Sequence, residues 1–301
     1  MRRLTAIVLG AAAGGGFPQW NCRCPTCAEA WSGAFGVKAR TQASLAVSAD
    51  GEQWTLLNAA PDLRAQIATT PALHPRGGLR GSPIAAVVLT GGEVDQIAGL
   101  LNLRERQPFA LFATAETLGI LKANPIFDVL APDVVERRAI VLGEAFSLPG
   151  GMEAMLFAVP GKIPLYLEGG AATLAGGAET TVGVEISSAG ARFCFVPGAA
   201  DMTPELKTRL AAADVMLFDG TLFDDDEMIR TGTGSKTGRR MGHMPIVGAG
   251  GSLAALAGLT NRRIYIHINN TNPVLLPDSP QRRAVEAAGW EIAEDGMEIV
   301  L

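Results

Sequence analysis

The chain has 301 residues, 48% of them hydrophobic and 18% charged, with a formal net charge of -5. That length buries a sizeable core, and the acidic balance argues against a nucleic-acid ligand, which needs a basic face. No apolar run reaches the roughly 20 residues of a membrane span.

The N-terminus, MRRLTAIVLGAAAGGG, has the basic start and apolar run that mimic a secretory signal. The apolar part is short and enters glycines directly, so it reads as a first strand over 4–9 and the chain as cytoplasmic. The glycine loop at 10–17 is a poor dinucleotide fingerprint, because Pro18 and cysteines stand where its helix would begin.

FPQWNCRCPTC, residues 17–27, follows. Cys22, Cys24 and Cys27 have the spacing C-x-C-x2-C. Three thiolates converge on one Zn²⁺ at about 2.3 Å each, and tetrahedral zinc needs a fourth ligand from elsewhere. In a reducing compartment clustered thiols are more often metal ligands than disulfides. The cluster therefore predicts a structural zinc. The fourth cysteine, Cys194, lies in the apolar RFCFVPG and reads as core.

Strand-like runs recur at 44–50, 53–59, 84–90, 109–114 and 139–143, then at 153–159, 180–187, 192–198, 214–220, 262–268 and 297–301. Some alternate with period two; others are continuously apolar and predict burial on both faces. Helices are expected over 62–68, 95–104, 115–121, 204–212, 252–259 and 280–288. Pro61 favours the first of these, and Ser279 and Gly289 bracket the last. This order is neither strict βαβ alternation nor all-β. It predicts an α/β domain over 1–301, two mixed sheets packed face to face with helices outside.

Only three histidines are present. His74 reads as a loop residue. His243 follows the glycine-rich 232–242, and His267 ends the strand IYIHI before NNTNP. Asp219 closes VMLFDG, and Asp95 opens a helix just after the strand at 84–90. Each aspartate has a local reading, Asp95 as an N-cap and Asp219 as a turn residue before Gly220. A carboxylate following an apolar strand is rarely there for packing. Two carboxylates and one or two imidazoles at strand ends together make a hard-to-borderline metal site.

These residues carry a resemblance. LTGGEVDQIAGL after a strand resembles the first metal loop of the metallo-β-lactamase fold, T-H-x-H-x-D-H-x-x-G-L. VMLFDG resembles its later strand-end aspartate, and IHINNTNP its last histidine strand. More narrowly, GGGFPQWNCRCPTC, LNAAPDLRAQI, SPIAAVVLT, GHMPI, IYIHINNTNP and AVEAAGW resemble the pyrroloquinoline quinone biosynthesis protein B family across essentially the whole chain. The resemblance implies an αββα sandwich with its site along one edge of the sheets. It also implies a role in making pyrroloquinoline quinone from a peptide-derived, crosslinked Glu–Tyr precursor, by iron-dependent, O2-using hydroxylation of the tyrosine ring.

This chain departs from the wider fold. Gly91 and Glu93 replace the two histidines of T-H-x-H, Gln96 replaces the histidine after Asp95, and Gly198 and Ala199 stand where the middle histidine belongs. One metal position has lost most of its ligands, which counts against a two-metal zinc hydrolase. Asp95, Asp219 and His267 remain to hold Fe(II), with His243 joining them or working as acid–base. Glu93 is a substitute ligand, and Gln96 a poorer one. Asn270 and His267 are the candidates for the fourth zinc ligand. Arg64, Lys236, Arg239 and Arg240 are the candidates for binding substrate carboxylates, and 232–242 has the glycines of a lid. A carrier for the cofactor or its precursor, with a decayed metal site, is the alternative, and a homodimer is an open assembly state.

Overall fold

A computed structural model describes residues 3–162 and 179–301. In chain order the first half contains β1 (Thr5–Gly10), α1 (Pro25–Trp31), β2 (Ser44–Ser48), β3 (Trp54–Leu57), α2 (Leu63–Thr69) and β4 (Ile84–Val88). It continues with α3 (Val94–Ile97), β5 (Phe109–Ala113), α4 (Ala115–Ala123) and β6 (Val135–Ala139). The second half contains β7 (Ala145–Leu148), β8 (Met152–Ala158), β9 (Val182–Ser188), β10 (Ala191–Val196), α5 (Pro204–Ala211) and β11 (Val215–Asp219). It ends with α6 (Glu227–Arg230), α7 (Ser252–Ala255), β12 (Arg262–Ile266), α8 (Pro280–Ala287), β13 (Trp290–Ile292) and β14 (Glu298–Val300).

The strands form two seven-stranded sheets, β14-β1-β2-β3-β4-β5-β6 and β13-β12-β11-β10-β9-β8-β7. Both are mixed. Strands β3 to β6 run parallel and β14 to β3 antiparallel. Strands β10 to β13 run parallel, and β7 to β10 antiparallel.

The apolar strands are continuous because both faces are covered. In β1, Ala6 and Val8 enter the core between the sheets, and Ile7 and Leu9 enter the core under the outer helices. In β10, Phe193 and Phe195 point inward while Cys194 and Val196 pack outward. Side chains alternate along a strand, so two buried faces demand apolar residues at every position. This is the expected αββα sandwich.

Several expected boundaries moved. Of the strand expected over 139–143 only Ala139 is in one; β6 lies at Val135–Ala139, and Ile140 and Leu142 pack against the inter-sheet core beyond it. The helix expected over 95–104 divides into α3 and a 3-10 segment, Ala98–Leu103. Gly99 passes so close to α2's leading turn that an added Cβ would stand 2.1 Å from the Ala60 carbonyl. The helix expected over 252–259 stops at Ala255, ahead of Gly258, which has φ +82°. The cysteine segment contains a helix, α1, with Pro25 in its first turn.

Candidate functional site

Strands β10, β11 and β12 are parallel neighbours, so their carboxyl ends open on one edge of the second sheet. Ligand sites of parallel sheets form at that end. Here it carries Pro197 and Gly198 after β10, Asp219 closing β11 and His267 just after β12. The loop after β4 brings Asp95 to the same place from the first sheet. The result is a cleft of about 510 Å³, the size of an ordinary small-molecule site.

Three of its groups are tightly associated. The ligand atoms of Asp219, His243 and His267 all lie within 4.8 Å of one another. The two imidazoles stack with centroids 5.2 Å apart. Asp95 Oδ2 faces His267 Nε2 at 2.9 Å. His267 has φ +60°, a left-handed backbone that non-glycine residues seldom adopt and that marks functional positions.

Asp219 is fully buried. Its oxygens accept from the Ala199 N–H at 2.9 Å, the Thr221 N–H at 3.1 Å and the Thr221 hydroxyl at 2.6 Å, and His243 Nδ1 stands at 2.8 Å. Burial by itself would raise its pKa, but the charge and hydrogen bond of His243 outweigh burial and hold it below the usual carboxylate range. Asp95 behaves the same way. Burial pushes it up, and the His267 hydrogen bond and charge bring it down further. Burial lowers the His267 pKa, but the hydrogen bond to Asp95 reverses that and raises it.

The donor set fits one cation. Two donors about 2.1 Å from an ion and at right angles stand about 3 Å apart, which is the Asp95–His267 separation. Asp219 lies alongside, with its lone-pair positions occupied by protein donors. The glycines that stand where the wider fold has histidines differ in the room around them. A Cβ on Gly91 would stand 2.4 Å from Gln96 Oε1, and one on Gly198 would stand 3.4 Å from His243 Cε1. Gln96 thus occupies the space that a side chain at Gly91 would need, whereas a Cβ at Gly198 would meet His243 in ordinary van der Waals contact. Gln96 Oε1 accepts the Glu93 N–H at 3.1 Å, and the Glu93 carboxylate accepts the Gln96 N–H, a capping box at the start of α3. Glu93 also pairs with Lys162 at 3.7 Å. Both residues line the cleft, where the capping box and Lys162 engage them. The N-cap of α3 is Glu93, not Asp95.

The cysteines form a separate centre. The sulfurs of Cys22, Cys24 and Cys27 lie within 4.8 Å of one another. The Asn270 amide nitrogen stands 3.2, 3.6 and 3.3 Å from them, capping the triangle. Ligands 2.3 Å from a tetrahedral zinc are separated by about 3.8 Å, so this cage suits zinc once the amide turns its oxygen inward. The Thr26 hydroxyl bonds the Asn270 carbonyl and fastens α1 to this loop. Burial pushes the Cys27 thiol up to about 12, while hydrogen bonds from Thr26 and neighbours outweigh burial and lower Cys24. His267 is corrected as a zinc candidate: its ring nitrogens face Asp95 and Thr221 in the cleft.

The cationic candidates divide. Lys236 lines the cleft, together with Lys162, which sequence reasoning missed. Arg64 is exposed on α2 outside it. Arg239 turns away to the carbonyls of Ala249 and Gly250, at 3.1 and 3.0 Å. Arg240 is exposed and lies outside the lining. The glycine-rich segment covers the cleft through Gly234, Ser235, Lys236, Met241 and Gly242. It is tied down by Gly238 N–H to the Asp225 carbonyl, 2.9 Å. His74 lies at a turn, its Nε2 3.2 Å from the Ala68 carbonyl.

Glu227 was also missed. It is buried at the start of α6, ahead of the glycine-rich 232–242, bonded to the Thr271 hydroxyl at 2.5 Å and the Phe223 N–H at 2.7 Å. Thr271 in turn accepts from Asn269 of the cleft wall at 2.6 Å. Burial raises the Glu227 pKa from 4.5 to about 7. The folded chain therefore keeps this proton where the unfolded chain loses it, and stability falls as pH rises from 4.5 to about 7. At 1.36 kcal/mol per unit the loss is about 3 kcal/mol. Glu227→Gln removes the titrating proton and keeps a neutral group of the same shape between Thr271 and Phe223. It is expected to match the wild type in denaturant unfolding at pH 4.5 and to exceed it by about 3 kcal/mol at pH 8; equal stability at pH 8 would count against a buried proton here.

The beta-lactamase superfamily domain matches residues 53–268. Coenzyme PQQ synthesis protein B of Methylobacterium sp. (strain 4-46) is 58% identical over 299 residues, covering 99% of this chain and 100% of that protein. The protein of the same name from Rhizobium meliloti (strain 1021) is 57% identical over 299 residues, covering 99% of this chain and 98% of its own length. The crystal structure of Zn(2+)-bound PqqB from Methylobacterium extorquens superposes with a TM-score of 0.97 at 54% identity, covering 99% of this chain and 100% of that one. The chain therefore belongs to the coenzyme PQQ synthesis protein B family, within the β-lactamase superfamily.

Proposed function

We propose that this chain acts in pyrroloquinoline quinone biosynthesis by hydroxylating the tyrosine ring of a crosslinked, peptide-derived Glu–Tyr precursor in the cleft. The observation that carries the reading is the meeting of Asp95 and His267 at 2.9 Å on the cleft wall, with Asp219 and His243 beside them. A carboxylate and imidazole set with open positions is the donor chemistry of non-haem Fe(II) sites, and the ferrous ion would supply the activation of O2. Asp95 and His267 are its direct holders, and Asp219 anchors the neighbouring imidazole.

The protein's own groups do the rest. Asp219 fixes His243 with Nδ1 as donor, so that Nε2 faces the cleft as a base for the phenol proton. Lys162 and Lys236 bring ammonium groups to a substrate rich in carboxylates. The segment over the cleft excludes water from an oxidising reaction. Cys22, Cys24, Cys27 and Asn270 hold a structural zinc. Support comes from their cage geometry and from the zinc of the Methylobacterium extorquens relative. Thiol ligands suit a reducing, cytoplasmic setting.

Placing one atom of O2 on the ring releases the other as water and consumes two electrons and two protons, so the test is anaerobic loading with Fe(II), then addition of O2, the Glu–Tyr precursor and a two-electron reductant such as ascorbate, with mass analysis of the product. A ring-oxygenated product is expected, and its absence from iron-loaded protein overturns the proposal. The saturation of Asp219 by protein donors favours a second reading, a carrier that binds the precursor without a cleft metal. Precursor binding that is unchanged when the cleft holds no iron, with no turnover, would select it. Lys162→Met is expected to raise KM by about 10- to 100-fold, as loss of a charged hydrogen bond does, with a smaller change in kcat. A KM equal to that of the wild type would remove Lys162 from substrate binding.

A further inference from the structure

We propose that Thr221 is a positioning residue that fixes both cleft imidazoles with Nδ1 as the proton donor, and so assigns their Nε2 atoms to the chemistry. The inference rests on the reading of the cleft as a cation site, and it concerns a hydroxyl that acts through the two rings.

The Thr221 hydroxyl stands at the centre of the cluster. Its Oγ1 is 2.6 Å from Asp219 Oδ1, 2.8 Å from His267 Nδ1, 3.1 Å from His243 Nδ1 and 2.9 Å from the His267 carbonyl. A hydroxyl has one proton to give and two lone pairs to receive with. Two of its neighbours, the carboxylate and the carbonyl, can only accept. The carboxylate is nearer and ionised, and charge-assisted bonds are about twice as strong as neutral ones, so the proton goes to Asp219. The hydroxyl then has only lone pairs for the rings, and each ring must present an N–H to it. His243 has a second reason to do so, since the same Nδ1 faces Asp219 Oδ2 at 2.8 Å.

A neutral imidazole with a proton on Nδ1 has its lone pair on Nε2. For His267 that atom points at Asp95 Oδ2, 2.9 Å away, where one ion would sit between them. For His243 it is the atom left for the cleft, and among the described residues none hydrogen-bonds to it. The backbone supports the arrangement. The Gly220 N–H donates to the Ile266 carbonyl at 2.8 Å, the Ile268 N–H to the Ala11 carbonyl at 3.0 Å and the Asn269 N–H to the Thr221 carbonyl at 3.0 Å, so His267 is held on both sides while its φ stays at +60°.

The three histidines of the chain make the test direct. Protein labelled with ¹⁵N-histidine and loaded with diamagnetic Zn(II) is examined by long-range proton–nitrogen correlation, which distinguishes Nδ1–H from Nε2–H. His267 and His243 are both expected to carry the proton on Nδ1. Thr221→Val, which keeps the shape and removes the hydroxyl, is expected to lose the single His267 pattern. It should also weaken Zn(II) binding in the cleft by about 10- to 100-fold, the usual effect of removing an outer hydrogen-bond partner. Affinity is read from the His267 ring signals, which the cysteine centre does not touch. Thr221→Ser is expected to restore both. A Val variant with wild-type ring signals and wild-type affinity overturns the proposal, as does a wild-type His267 protonated on Nε2. Should the Val variant fail to fold, the wild-type and Ser spectra still decide. A wild-type cleft that takes no Zn(II), yet shows Nδ1–H on both rings at a pH where they are neutral, supports the Thr221 assignment and overturns the metal reading instead.

Discussion

His267→Ala is expected to empty the cleft of metal and to lower product formation by more than the roughly 100-fold that loss of an outer partner causes. His267 supplies one of the two facing donors, and no described nitrogen stands ready to replace it at Asp95. The same change leaves the Asp95 carboxylate largely buried without its partner. Breaking a buried pair from one side costs about 3–5 kcal/mol, so the metal-free variant should also unfold at lower denaturant. His243→Gln should separate the roles. It is expected to keep the cleft metal and lose about 10²- to 10⁴-fold in turnover, the range of general acid–base catalysis. Iron per chain, turnover and urea midpoints measured on both variants decide the matter. A His267→Ala protein that retains stoichiometric cleft iron would refute the ligand assignment.

Removal of the zinc should have the second large effect. Cys24, Cys27 and Asn270 join α1 to the loop that begins three residues before Asn270 with His267. A ligand bound only by the folded chain stabilises it by about 4 kcal/mol when its free concentration is a thousand times Kd. Cys27→Ser is therefore expected to lose zinc, to fall in stability by about that amount in zinc-containing buffer, and to bind the cleft metal less tightly as the His267 loop loosens. Asn270→Ala should do the same more mildly, while Asn270→Asp, with an anionic oxygen in place of the amide, should keep zinc. Zinc content and thermal unfolding with and without a chelator measure this. Full stability of the Cys27→Ser protein would show that the cysteine centre holds nothing of consequence.

The centre and the cleft are mechanically linked by a short stretch of chain. Ile268 bonds to Ala11, Asn269 lines the cleft, Asn270 caps the sulfurs, and Thr271 reaches Glu227 of α6. Four consecutive residues thus tie the last histidine to β1's exit, the metal cage and α6. On the proposed reading the cysteine loop does no chemistry of its own and holds in position the loop that carries His267, whose φ is +60°.

The sequence by itself determined the layers. Buried strands such as β1, β10 and β11 are apolar at every position because both faces are covered, and that pattern is local. It also determined the cysteine cage, since three thiols within six positions must meet, and it named Asp95, Asp219, His243 and His267 by residue type. The edge strands were another matter. β7 and β13 went unnoticed and β6 was misplaced, because an edge strand is short or partly solvated and its sequence carries charges such as those of VERRA. Only the tertiary structure decided which cations face the cleft, selecting Lys162 and Lys236 and leaving out Arg64, Arg239 and Arg240. It alone revealed Thr221 and Glu227, a hydroxyl and a carboxylate with no local motif. Beyond the local bonds of Thr221 to Asp219 and of Glu227 to Phe223, their roles arise from partners 22 to 46 residues away. Periodicity encodes what a residue buries, whereas convergence depends on parallel strands bringing their ends to a common edge, a distance no local pattern contains.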